Sequence, residues 1–288
     1  MFQVLDTTLP VFLIILVGFL FGKFKKGVNL DPIVNVIFYI SSPCLVFSAL
    51  LKSHVQLNEF FIVVVSAITI SLLLGFVSFL ILKKSGRVGL SLPMSIGNTG
   101  YLGYPIALLA WGVDGLSKAV IYDNAAFILL LTLGIAVIHK GDKVKELLKA
   151  APIYGIIFGV FFNILNTPFP ATLLKPIEMI GNITIPAALI VLGYRLTEIK
   201  VSQFKTALLA SFFKIFAGLI IGLIIVRLFG VTGVTKNVII LLATMPSAVM
   251  SMILTHKYKK DSDIVASVVF ISTVMSLVTI PLVLFFLV

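Results

Sequence analysis

Apolar residues run along this chain in long unbroken stretches, separated by short polar or basic connections. Ten stretches stand out, at roughly 4–22, 32–51, 60–82, 89–110, 117–138, 150–166, 176–194, 204–228, 235–255 and 264–288. Crossing a hydrocarbon layer about 30 Å thick takes roughly 20 apolar residues at ~1.5 Å of helical rise each. The pattern therefore predicts ten transmembrane segments. They must be helical, because lipid offers no partner for an open backbone N–H or C=O. A membrane barrel would instead show alternation over about ten residues per strand. The connections are too short to fold alone. The longest, 139–149, is expected to be a cytoplasmic linker between 1–138 and 150–288.

Composition agrees with lipid as the solvent. Of 288 residues, 60% are hydrophobic and only 11% charged, with mean hydropathy +1.19, against about 25% charged in a soluble domain. The net charge of +11 is unevenly placed. Sixteen of the 22 lysines and arginines follow odd-numbered stretches. Five (Lys52, Lys118, Lys175, Arg227 and Lys236) follow even-numbered ones, and Lys214 lies inside the eighth. Positive residues collect on the cytoplasmic side, so both termini are expected outside the cytoplasm, in a prokaryotic plasma membrane. Basic loops also suit the anionic inner leaflet, and no nucleic-acid partner is needed. The first stretch lacks the basic n-region and the cleavage site of a signal peptide and is expected to remain in the mature protein. The single cysteine, Cys44, reads as a small apolar side chain and allows no disulfide framework.

Five stretches per half place two similar halves in opposite orientations, as in many secondary transporters. Matched breaks support this inverted repeat. The second stretch has Pro32 and then Ile40-Ser41-Ser42-Pro43. The seventh has Pro176 and then Ile183-Thr184-Ile185-Pro186. The fourth has Pro105, and the ninth has Pro246 in Ala243-Thr244-Met245-Pro246-Ser247-Ala248. Proline removes a backbone donor, and the freed groups are tolerated at membrane depth only beside protein or a watery cavity. Half-helix N-termini exposed there carry partial positive charge and suit an anion.

The most informative stretch is Gly97-Asn98-Thr99-Gly100-Tyr101-Leu102-Gly103-Tyr104-Pro105, too rich in glycine, amide and hydroxyl for a plain lipid-facing helix. Here the chain resembles the auxin efflux carrier family, which includes the plant PIN-FORMED carriers and bacterial malate and malonate permeases. Asn98, Thr99, Gly103 and Pro105 meet its N-T-x-x-x-G-x-P pattern. Ala243 and Pro246 meet its A-x-x-P crossing, and Leu192-Gly193 and Pro281 also fit. The resemblance implies an all-α polytopic membrane protein with ten helices in a five-plus-five inverted repeat. Helices 1, 2, 6 and 7 would form a dimerising scaffold, and helices 3–5 and 8–10 a transport domain. Helices 4 and 9 would break and cross beside the substrate, and transport would be of elevator type. Carried over, Asn98 and Thr99 contact a small organic anion, Gly103, Pro105 and Pro246 make the crossing, and Ser247 lies beside it. Gly100, Tyr104, Pro43 and Asn182, at or near the breaks, complete the candidate binding set. The short central loop and the lack of an ionisable pair in the third stretch separate this chain from the plant carriers, and the resemblance does not extend to auxin itself.

Charged residues within spanning stretches are costly and therefore functional candidates. Lys214 could attract an anion or pair with a carboxylate. Asp123, beside Asn124, could carry a coupling proton. Asn35, Asn163 and Asn182 read as interhelical hydrogen-bonding residues, and His54, His139 and His256 as surface residues in loops or at segment ends. No H-E-x-x-H, G-x-S-x-G or G-x-x-x-x-G-K-[ST] signature occurs, so neither an enzyme nor an ATP-driven pump is expected, and no cofactor or metal. The reading is a secondary transporter of small organic anions, carboxylates above all, coupled to protons or driven by membrane potential. Two alternatives stand beside it: a sodium-coupled organic-anion symporter of the bile-acid type, and a non-transporting receptor or scaffold.

Overall fold

A computed structural model of the chain describes residues 2–53, 56–134, 150–165 and 169–288. The expected linker at 139–149, with His54 and His139, lies outside the described residues. Among the described residues the regular structure is helical: α1 Phe2–Phe24, α2 Asp31–Lys52, α3 Leu57–Leu82, α4 Ser91–Ser95, α5 Tyr104–Leu129, α6 Ala151–Ile164, α7 Ala171–Glu198, α8 Phe204–Leu228, α9 Gly233–Ala243, α10 Val249–Lys257 and α11 Ser262–Leu287.

Among the described residues seven elements are long and apolar enough to cross a membrane: α1, α2, α3, α5 with its flanking turns, α7, α8 and α11. Helices α6 and α9 are shorter and apolar. The ten stretches map onto these unevenly. The fourth, 89–110, is a short α4, an extended segment and then the start of α5. The fifth shares α5 with the end of the fourth, and the two meet where Trp111 (φ −136°, ψ 16°) and Gly112 (φ 65°, ψ −154°) leave helical geometry. The ninth, 235–255, is split into α9 and α10.

In α1 the small and hydroxylated residues mark the buried face, since apolar residues lie on both faces. Along α1 the buried positions are Val4, Thr7, Thr8, Val11, Ile15, Gly18 and Gly22, which recur every three or four residues apart from the adjacent Thr7 and Thr8. Leu9, Leu13, Leu16, Val17 and Leu20 face outward. Where lipid is the solvent, both faces are apolar, and close approach of backbones selects the interior face. Gly18 and Gly193 show why. A Cβ on Gly18 would fall 2.8 Å from the Ile190 Cα, and one on Gly193 would fall 2.7 Å from the Phe19 amide nitrogen. Any side chain at either position forces α1 and α7 apart.

Packing is densest in two groups. Helix α1 lies along the second half of α7, while the second half of α2 packs on both α6 and the first half of α7. Asn163 of α6 donates to the carbonyls of Leu50 and Ser53 at 2.9 and 2.6 Å, which ties α6 to the end of α2. In the other group α3 packs on α5, α8 on α11, and α9 on both α5 and α8.

Two π-helical turns share a cause. Ile37–Ser41 ends two residues before Pro43, and Thr99–Gly103 ends two residues before Pro105. Proline cannot donate to the preceding turn, and a wider turn absorbs the resulting mismatch. Both open helices beside the same cavity.

Candidate functional site

Two extended segments meet between α4 and the Thr99–Gly103 turn on one side and between α9 and α10 on the other. Ile96 (ψ 127°) and Ala248 (ψ 133°) are extended, and Gly97 pairs with Ser247 in an isolated antiparallel bridge. The Asn98 amide donates to the Pro246 carbonyl at 2.6 Å, and the Ala248 amide donates to the Ile96 carbonyl at 3.0 Å. Backbone groups opened by broken helices are therefore satisfied by each other. Ser247 locks the arrangement. Its hydroxyl donates to the Pro93 carbonyl at 2.7 Å, and its amide donates to the Ser272 hydroxyl at 3.1 Å.

Beside this bridge lies a cavity of about 110 Å³, walled by α2, α5, α7 and the start of α10. Asn98, Thr99, Gly100, Tyr104 and Asp123 all line it, so the structure brings together five of the expected site residues. Asn98 is 5% exposed, and its side-chain nitrogen has no hydrogen-bond partner. Thr184, also lining the cavity, has an unpartnered hydroxyl. A buried polar group left unpaired costs about 1–3 kcal/mol, and two of the five such side-chain atoms among the described residues belong to this cavity's lining.

The Asp123 carboxylate is held on both oxygens. Thr99 donates its hydroxyl to Oδ1, and Tyr104 donates to Oδ2 at 2.6 Å. Asn124 donates its amide to the Val120 carbonyl at 2.9 Å and lies 3.5 Å from the Tyr104 hydroxyl. Gly100 must stay small here, since a Cβ would sit 3.2 Å from Asp123 Oδ2. The first residues of α10, Val249 and Met250, also line the cavity. First-turn N–H groups of a helix receive no helical carbonyl and carry partial positive charge.

Other expected residues fall elsewhere. Pro43 sits one residue past Ser42, which lines the cavity while Pro43 does not; the Pro43 backbone packs against Gly155. Asn182 is exposed, and Thr184, two residues on, takes the wall position. Gly103 faces the Leu242 side chain, and Pro105 is buried in the first turn of α5. Lys214 is 1% exposed and does not reach the cavity wall. Its ammonium donates to the Ala243 carbonyl, the last residue of α9, at 3.0 Å. That carbonyl lies at the negative end of α9, and Gly218 keeps the space beside it open. Lys118 is not in a loop. It is buried in α5 and pairs with Asp114 and with Glu59, the latter at 3.6 Å, while Glu59 accepts from Thr235 at 2.9 Å. Among the described residues no three His, Cys, Asp or Glu side chains gather as metal ligands.

The sequence reading missed Ser42, Tyr101, Phe38, Phe127 and Thr184 as wall residues. Thr184 carried a signal, since it stands inside the Ile183-Thr184-Ile185-Pro186 break. Ser42 and Tyr101 carried the same kind of signal, within the break at 40–43 and the motif at 97–105, whereas Phe38 and Phe127 carried none, because an apolar segment hides which rings turn inward.

A sequence model of a family described as membrane transport protein matches residues 3–146 and 138–284. A protein of Methanocaldococcus jannaschii described as an uncharacterized transporter is 32% identical over 300 positions, covering 96% of this chain and 97% of its own. Another so described, from Methanothermobacter thermautotrophicus, is 26% identical over 294 positions, with 96% of each chain covered. With Asn98 and Thr99 of the N-T-x-x-x-G-x-P motif now on the wall of a cavity, these likenesses reach one conclusion: the chain belongs to the membrane transport protein family, that of the auxin efflux carriers.

Proposed function

We propose that the protein is a secondary carrier of small organic anions, carboxylates above all, working by an elevator-type mechanism. The carrying observation is the Asn98 side-chain amide, buried and unpartnered on the wall of a cavity that the N-terminus of α10 also faces. A carboxylate there would accept from Asn98, from Thr184 and from the first turn of α10, as anions do at helix N-termini. In this reading ten segments form a five-plus-five inverted repeat, and the fourth and ninth cross at the Gly97–Ser247 bridge with Gly103, Pro105 and Pro246. The two packing groups support a scaffold of helices 1, 2, 6 and 7 and a moving domain of helices 3–5 and 8–10. The scaffold would pair two copies into a homodimer, with all termini on the outer face of a prokaryotic plasma membrane. Asp123 is the group that would couple charge or a proton to the movement. Lys214 holds the end of α9, and Ser247 the crossing, rather than touching the substrate.

The test is uptake of labelled organic acids into proteoliposomes under imposed pH, potential and sodium gradients. Saturable uptake of an acid that does not need sodium, and that is lost in Asn98→Ala while the variant still folds, is the expected result. Strict sodium dependence would move the protein to the bile-acid type of symporter. Absence of flux for every acid, with ligand binding retained, would make it a receptor.

A further inference from the structure

The cavity carries more than an anion subsite requires. Among the described residues that line it there is one carboxylate, Asp123, and no lysine, arginine or histidine. A simple organic anion bound on Asn98 would therefore bring its negative charge into a buried space already holding a negative group, with no cationic side chain on the wall. A proton on Asp123 is one way to remove that conflict. A positive charge on the substrate itself is another, and the geometry favours it.

Asp123 is presented as an acceptor. An ionised carboxylate has about four lone-pair sites, and Thr99 and Tyr104 fill one on each oxygen. Both partners donate, which suits the ionised form and leaves a lone pair on each oxygen free. Gly100 leaves the approach open, because the space where its Cβ would lie reaches to within 3.2 Å of Oδ2. The rings of Phe38, Tyr101, Tyr104 and Phe127 line the same cavity, and aromatic faces attract cations. The same lining also offers groups of the reverse character, the unpartnered Asn98 amide and Thr184 hydroxyl and the start of α10.

We infer that the substrate is a zwitterion, a small amino acid whose carboxylate meets Asn98, Thr184 and the N-terminus of α10 and whose ammonium meets Asp123. The inference rests on the carrier reading above and narrows its substrate class. A cavity of about 110 Å³ favours a small one. An amino acid occupies both poles without a co-transported proton or sodium ion to balance Asp123.

The experiment measures ligand-induced thermal stabilisation and binding affinity of the full chain, purified and held in lipid nanodiscs. The probes are the twenty standard amino acids, with matched 2-hydroxy acids, unsubstituted acids and amines for alanine, leucine, phenylalanine and glutamate, together with malate and malonate. At least one amino acid should bind ten times more tightly than its hydroxy, unsubstituted and amine counterparts. Asp123→Asn should remove that preference, while Asn98→Ala should weaken amino and hydroxy acids alike. If a hydroxy acid, malate or malonate binds and no amino acid binds as well, the zwitterion is overturned and the anion carrier stands. If no acid of any kind binds, both fail together. The ranking on the unmodified protein decides the question whether or not Asp123→Asn folds.

Discussion

Replacing Asn98 and Ser247 separately by alanine should move stability in opposite directions, although the two residues are neighbours across one bridge. Ser247 spends its hydroxyl on the Pro93 carbonyl at 2.7 Å in a fully buried place. Ser247→Ala leaves that carbonyl without its partner and should cost about 1–3 kcal/mol, or roughly 2–6 °C in melting temperature for a chain of this size. Asn98 is the reverse case, because its side-chain nitrogen already lacks a partner. Asn98→Ala removes an unsatisfied donor, and its backbone (φ −78°, ψ 59°) lies near the inverse γ-turn, which alanine adopts. The ligand-free variant should therefore melt at or above the parent temperature. Its loss should appear on binding. A hydrogen bond to a charged group contributes about 1.5–3 kcal/mol, so affinity for a carboxylate should fall roughly 10- to 150-fold. The assay is thermal melting of purified protein with and without a stabilising acid, since a ligand of the native state raises stability with the logarithm of its concentration over Kd. A ligand-free Asn98→Ala that melts as low as Ser247→Ala would refute the reasoning, because Asn98 would then be holding the fold.

Three further outcomes follow from the packing. Gly18→Val should drive α1 off α7, where even a Cβ would fall 2.8 Å from the Ile190 Cα; the expected result is little folded protein by size-exclusion chromatography, with Gly75→Val, whose nearest neighbour is 3.6 Å away, as the tolerated control. Gly100→Ala should displace the Asp123 carboxylate by a few tenths of an ångström and force its side chain off its preferred rotamer at about 0.5–1.5 kcal/mol. That should weaken ligand binding roughly 2- to 10-fold, measured by titration calorimetry, and lower the melting temperature by no more than about 1–3 °C. Lys118→Met should change the melting temperature little, because the partner carboxylates of Glu59 and Asp114 are 37% and 50% exposed and can be rehydrated; a fall of more than about 6 °C, equivalent to roughly 3 kcal/mol, would contradict that.

The membrane-spanning character was legible because the transfer of twenty apolar side chains into lipid dominates everything local. The path of the backbone inside those stretches was not. Residues 89–110 and 235–255 read as continuous apolar segments, yet Ile96 and Ala248 are extended and Gly97 bridges Ser247, because a partner segment far along the chain supplies their hydrogen bonds. Hydropathy contains no information about that partner. Proline did mark the breaks, and Pro105 and Pro246 lie beside them. The site divides in the same way. Asn98, Thr99, Gly100 and Tyr104 were readable as one local motif, and Asp123 as a charge out of place in lipid. Asn182 is expected at the site from its place beside the proline break of the seventh stretch, but the turn ending at Thr184 gives Asn182 to the surface and Thr184 to the cavity. Helical phase decided this, and an all-round apolar helix does not display its phase.

The pairing of Ile96 with Ala248 and of Asn98 with Pro246 also sets a schedule for biogenesis. At about 5–20 residues per second, a ribosome needs roughly 8–30 s to make the chain between them. Through that interval the first half stands in the membrane with its interior seam unclosed, and the open groups need water, a protein wall or a temporary neighbour. A chain cut after α5 should be recognised as unfinished and degraded, although every helix in it is apolar enough to stay. Supplying residues 150–288 as a separate polypeptide should rescue it, because the suture joins halves that need not be covalently continuous at the moment it closes.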